Sequence, residues 1–252
     1  MKDIKIIVAT HKKYWMPSDP MYLPLHVGRE GKENLGYTGD NTGDNISLKN
    51  KNYCELTGLY WAWKNLDADY IGVAHYRRHF VGKSGGGNKR DKVITQVQLE
   101  QILKETDIVL PKPRNYYIET NYSQYVHAHH AEDLDVTREI LDEKYPFYVK
   151  AFDESMKRTS GHRFNMFIMK KEFFRQYCEW LFDILFELEK RLDISNYSKN
   201  DARVFGFVSE RLLDVWLDTN HIKYKNIAVQ FMERQNWLKK GGNFLMRKIK
   251  SV

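Results

Sequence analysis

Ile4-Lys-Ile-Ile-Val-Ala9 is an almost unbroken apolar run that ends in Thr10-His11-Lys12, and Tyr70-Ile-Gly-Val-Ala74 runs as abruptly into His75-Tyr76-Arg77-Arg78-His79. Short runs without polar alternation suit strands covered on both faces, the condition of a parallel sheet. Such sheets bind ligands beyond the carboxyl ends of their strands, where these two runs place histidine and arginine. A third run, Asp107-Ile-Val-Leu110, stops at Pro111 and Pro113. Tyr53, Leu56, Leu59, Tyr60 and Trp63 recur at three-to-four spacing and predict one helix over 53–65, and 96–105 is helix-like. The order strand, helix, strand, helix, strand predicts an α/β fold, a largely parallel sheet with helices on both faces. Further along, 164–169 reads as a strand, 172–192 as a long helix, 209–217 as a helix and 223–229 as a short strand.

With 42% apolar and 14% aromatic residues among 252, the chain can bury a sizeable core, and global disorder is excluded. Two cysteines, Cys54 and Cys178, cannot form a disulfide framework or a four-cysteine zinc site. The apolar start is too short for a signal peptide and no window approaches a membrane span, so the expected location is cytoplasmic. The net charge of +7 raises a nucleic-acid reading, but residues 237–252 hold five basic residues and no acid, leaving +2 for the preceding 236. A body with a basic amphipathic tail over 236–252 fits this better than a basic groove, and no nucleic-acid partner is expected. Trp237, Leu238, Phe244, Leu245, Met246 and Ile249 interleave the tail's charges, which suits either an anionic lipid surface at the inner face of the cell membrane or packing on the body.

Gly82-Lys83-Ser84 imitates the end of a phosphate-binding loop, but Arg77 stands where its first glycine belongs. Of two Asp-x-Asp triplets suited to a divalent cation, Asp67-Ala-Asp69 precedes its strand and Asp133-Leu-Asp135 falls at a predicted helix start, where acids are common for dipole reasons. The strand end that would hold such a cation carries His75, Arg77 and Arg78 instead, and guanidiniums match phosphate oxygens. His127, His129 and His130 beside Glu132 and Asp133 read as a metal cluster, as a site for a general base, or as a polar helix start. Arg203 and Glu210, seven apart in an apolar context, are open as an ion pair, a wall of a binding site, or a catalytic carboxylate.

Taken in order, Val8-Ala-Thr-His-Lys12, Gly39-Asp-Asn-Thr-Gly-Asp-Asn-Ile-Ser47, Tyr53-Cys-Glu-Leu-Thr-Gly-Leu-Tyr-Trp-Ala-Trp-Lys64, Gly72-Val-Ala-His-Tyr-Arg-Arg78, Phe164-Asn-Met-Phe-Ile-Met-Lys170 and Arg203-Val-Phe-Gly-Phe-Val-Ser-Glu-Arg211 resemble a bacterial family long catalogued only as a domain of unknown function. Its members occur in capsular and exopolysaccharide synthesis, and some are galactofuranosyltransferases. The likeness spans about residues 4–217. It implies a GT-A-like glycosyltransferase in one domain over 1–235, with a donor-binding part at about 1–115 and an acceptor part at about 116–235. The implied donor is a nucleotide sugar such as UDP-galactofuranose, and the implied acceptor is a lipid-linked oligosaccharide. Inverting transfer is expected, with Asp133 or Glu132 as base ahead of Glu210. Thr10, His11, Asp40, Asn45, His75, Arg77 and Arg78 are the expected donor contacts, and Tyr122, His127, His129 and Asn165 the acceptor contacts. No metal ligands are assigned, and dependence on Mn or Mg stays open. The alternatives are a non-catalytic scaffold of a polysaccharide complex and a nucleic-acid-binding module.

Overall fold

A computed structural model describes residues 2–82 and 87–233. The basic tail at 236–252 therefore lies outside the described residues. In chain order the elements are β1 (Ile4–Thr10), β2 (Tyr22–His26), β3 (Thr38–Gly39), α1 (Asn50–Tyr53), α2 (Leu56–Asn65), β4 (Tyr70–His75) and β5 (Arg78–Phe80). There follow α3 (Gln96–Ile102), β6 (Ile108–Pro111), β7 (Arg114–Asn115), α4 (Asn121–Val126), α5 (Ala131–Lys144) and α6 (Pro146–Lys157). The last are β8 (Ser160–Gly161), β9 (Phe167–Lys170), α7 (Lys171–Arg191), α8 (Val204–Thr219), β10 (Lys225–Ile227) and β11 (Val229–Phe231).

The main sheet runs β10-β6-β9-β4-β1-β2-β3, with β5 and β11 joined beside β4. Neighbours along it are parallel except β9, which is antiparallel to both β4 and β6. Strand β1 shows why both faces are covered. Ile4, Ile6 and Val8 pack on one side with Tyr22, Tyr70, Leu99 and Ile168. Ile7 and Ala9 pack on the other with Leu59, Phe174, Leu181 and Leu212, so helices α2, α7 and α8 cover that face and α3 the first. Both halves of the sequence feed this sheet, and the body is one α/β domain.

Four sequence expectations need adjustment. The helix predicted over 53–65 is broken at Cys54, whose φ of 55° and ψ of −129° end α1 before α2 begins. Side chains impose that break: Asn50 Nδ2 donates to the Cys54 carbonyl at 2.7 Å, and the Thr57 hydroxyl lies 3.1 Å from it. The strand expected from 164 starts at Phe167, because Phe164 and Asn165 have φ of 81° and 49°. Helix α8 begins at Val204 rather than at 209, and the last strand divides at Ala228 into β10 and β11.

His79 is fully buried on β5, with the edges of Trp15 and Tyr22 against its ring, and burial pushes its pKa down to about 4. The neutral imidazole is what the fold accommodates. Its contribution to stability is present above about pH 6.5 and is lost as pH falls toward 4. His79→Phe is expected to shallow the acid limb of Tm against pH in that window. An unchanged limb would show that other groups set it.

Candidate active site

The register aligns Thr10 with His26 and Ala9 with His75, so the carboxyl ends of β1, β2 and β4 form one edge. Strand β1 has β2 on one side and β4 on the other, and the crevice opens where the chain changes direction. Two adjoining basins lie there. The larger, of about 690 Å³, is lined by Ala9, His11, Val27 and Tyr76 and by Lys32, Lys51, Arg77, Lys199 and Arg203. The smaller, of about 290 Å³, is lined by Arg78, Arg114, Tyr116, Arg163, Phe164, Phe207 and Glu210. Cys54, Glu55, His75, Arg77 and Arg203 border both, and Glu55 is the only carboxylate at their junction among the described residues.

Glu55 reaches this place because of the break at Cys54, which turns the first residues of α2 toward the crevice. Asn165 Nδ2 donates to its Oε1 at 2.8 Å, and burial pushes its carboxyl up from the usual carboxylate range. Asn165 is buried and also donates to the Gly206 carbonyl at 3.1 Å and accepts from Ser209 at 2.9 Å, so its left-handed backbone serves to hold Glu55. Glu210 Oε1 accepts the Phe164 N–H at 3.0 Å, and its other oxygen is 3.6 Å from Arg211. His75 donates Nε2–H to the Phe164 carbonyl at 2.6 Å, and burial, then Arg78, hold its pKa down to about 4. It is therefore held neutral as a wall of the crevice.

Arg78 stacks over Phe164 at 4.4 Å. Arg77 lies 3.5 Å from Glu233 and over the Tyr76 ring at 5.2 Å, and Arg203 Nε contacts Cys54 Sγ at 3.1 Å. The Cys54 thiol is pushed up to about 11, chiefly by burial, which leaves it protonated and unreactive at neutral pH. Metal-type ligands do not assemble here. Among the described residues no group of three His, Cys, Asp or Glu side chains could hold an ion, and the carboxylates lining the crevice, Glu55 and Glu210, each accept a protein hydrogen bond at one oxygen.

Of the expected donor contacts, His11, His75, Arg77 and Arg78 come together in the crevice. Thr10 is buried, its hydroxyl closing a turn to the Lys12 carbonyl at 2.6 Å. Asp40 is fully buried and accepts from Gly28 and Arg29 N–H and from the Ser47 and Thr57 hydroxyls, while Asn45 caps Ser47 N–H at 3.1 Å. These residues shape the loop and do not line the crevice. Asp133 lies outside both basins as well, buried with its oxygens taken by the Tyr125 and Tyr197 hydroxyls at 2.8 and 2.7 Å. Glu132 is exposed beside it at the start of α5.

Tyr122 lines a separate groove with Phe152 and Met156 and donates to Asp135 at 3.0 Å. His127 is paired with Glu119 at 2.5 Å. His129 bonds Asp201 at 3.0 Å and stacks on Phe207, one layer behind the smaller basin. Sequence reasoning missed Glu55, Arg114, Tyr116 and Arg163. A signal for Glu55 existed, an acid inside the apolar stripe of a predicted helix, whereas Arg114, on the two-residue β7, and loop-borne Arg163 left none.

No curated protein matches the chain. The solved apo structure of WbbM, a bifunctional glycosyltransferase, matches with a TM-score of 0.84 and 31% identity, covering 92% of this chain and 46% of that one. The chain thus spans a little under half of that protein's length, and its fold is the GT-A-like α/β fold expected from the sequence. With residues 5–221 matched, the chain belongs to the family described as Domain of unknown function (DUF4422).

Proposed function

We propose that this chain is a glycosyltransferase that moves a sugar from a nucleotide-sugar donor to a saccharide hydroxyl with inversion. The observation carrying the reading is Glu55 at the junction of two cation-lined basins on the carboxyl edge of the sheet, in a fold similar to WbbM. The nucleotide occupies the larger basin, against Ala9, His11 and Val27, and the acceptor enters the smaller one. Glu55 accepts the proton of the acceptor hydroxyl as its oxygen attacks the anomeric carbon. The bond from that carbon to the diphosphate oxygen breaks, and its electron pair leaves with the nucleoside diphosphate. Arg77 and Arg203 stabilise the charge that develops there. In this reading the role of base passes from Asp133 and Glu132 to Glu55, with Glu210 second. The sequence resemblance supports UDP-galactofuranose as donor, a lipid-linked oligosaccharide as acceptor, and work at the inner face of the membrane. Among the described residues no helix is long and apolar enough to cross it.

Thermal stabilisation of the purified chain by UDP and a panel of UDP-sugars tests the proposal. At about 100 times Kd a ligand adds about 2.7 kcal/mol, which raises Tm by about 5–10 °C. The shift should survive a chelator. If chelator abolishes it and Mn or Mg restores it, guanidiniums are not what holds the diphosphate.

Arg77→Ala and Arg203→Ala should each lower kcat/KM by about 2–4 kcal/mol of transition-state stabilisation while moving Tm little, since both side chains reach solvent. Parallel losses of Tm and rate would assign them to the fold.

A further inference from the structure

Arg78, Arg114 and Arg163 line the smaller basin alone, where Glu210 and the shared Glu55 are the acids that face Arg78. Arg163 is buried, and its hydrogen bonds go to neutral oxygens, those of Tyr116, Asn121 and the His162 and Glu210 carbonyls. The nearest carboxylate to it, Asp214 at 3.8 Å, is bonded to His162. Arg78 Nε is buried without an acceptor among the described residues, and its guanidinium lies over the Phe164 ring. Arg114 is exposed at the rim, 5.4 Å over the Tyr116 ring. Glu210, the one acid unique to this basin among the described residues, shares its charge with Arg211 behind it.

A donor diphosphate in the larger basin already has Lys32, Lys51 and Lys199 as well as the shared Arg77 and Arg203. The second set of cations is left over. Guanidiniums only partly neutralised around a concave site cost free energy that an anionic ligand recovers, and they sit here among aromatic walls of the kind that stack on sugar rings. Resting on the transferase reading above, we propose that the acceptor is an acidic saccharide, its carboxylate or phosphate held by Arg78 and Arg114 with the charge of Arg163 behind them, and its ring placed against Tyr116 or Phe207.

The test uses the full chain saturated with UDP, titrated by ligand-observed NMR with methyl glucuronide, glucose 1-phosphate and methyl glucoside. One of the two anionic probes is expected to bind at least about tenfold more tightly than the neutral one, the scale of one charge-assisted hydrogen bond. Which of them does so separates a uronate from a sugar phosphate. Arg114→Gln, at an exposed position that the fold does not need, should remove the preference and change UDP affinity less than about twofold. Equal binding of the three probes overturns the proposal. So does displacement of UDP by glucose 1-phosphate, or a loss of UDP affinity in Arg114→Gln as large as the loss for the anionic probe, because the cations would then serve the donor. If UDP itself fails to bind, the transferase reading falls, while the anion preference is still read on the unliganded chain.

Discussion

Glu55→Gln is expected to lower turnover about 10²–10⁴-fold, the usual worth of a positioned general base, while Tm at neutral pH stays level or rises. The amide keeps the shape and still accepts the Asn165 hydrogen bond at Oε1. What it loses is the capacity to take a proton. Stability moves the other way because burial raises the Glu55 pKa in the folded chain. A carboxyl so shifted leaves the fold at full stability below its unfolded pKa, and stability declines as pH rises through the folded value. Removing the charge lifts that penalty at neutral pH and changes nothing in acid. The wild-type acid limb of kcat/KM should lie above the ordinary carboxylate range and be absent in the variant. Rate and Tm measured across pH decide the matter. If Glu55→Gln keeps its rate and Glu210→Gln loses it, the base is Glu210.

The parts legible in the sequence were those set by local pattern. The β1 and β4 runs, and the 172–192 helix with Phe174, Leu181 and Leu188 at helical spacing, were readable because burial on both faces or on one stripe leaves a period in the residues themselves. The strand-end rule points to His75, Arg77 and Arg78, and in the structure all three line the crevice. What was not legible depends on pairings across the chain. Nothing in Phe167–Lys170 records that it runs antiparallel between β4 and β6. Asp133 reads as a reactive acid beside histidines until Tyr197, 64 positions on, occupies one of its oxygens. The break at Cys54 has no glycine or proline to announce it, so the one trace of Glu55 is an acid within the apolar stripe of an apparently continuous helix.

That break is also why Asp40, which lines neither basin, should be among the most sensitive positions in the molecule. Its carboxylate accepts from Gly28 N–H at 2.7 Å, Arg29 N–H at 3.0 Å, and the Ser47 and Thr57 hydroxyls at 2.6 Å each, all in a site closed to water. Gly28 can present its N–H there only with φ at +61°, and a Cβ at that position would come within 2.3 Å of the Asn50 amide oxygen. Asn50 in turn donates to Thr57 and to the Cys54 carbonyl, so one buried charge ties the loop at 28–47 to the turn that aims Glu55. Asp40→Ala leaves two hydroxyls and two N–H groups without their acceptor, at a cost of about 3–5 kcal/mol, or a fall in Tm of about 10 °C. If Asp40 acts by positioning, the folded fraction at low temperature should lose kcat more than it loses UDP affinity, because the base is displaced while the larger basin's cations remain. Loss of UDP binding with kcat intact at saturating donor would instead make Asp40 a donor contact. Single-turnover rates beside UDP titrations on the same preparation separate the two.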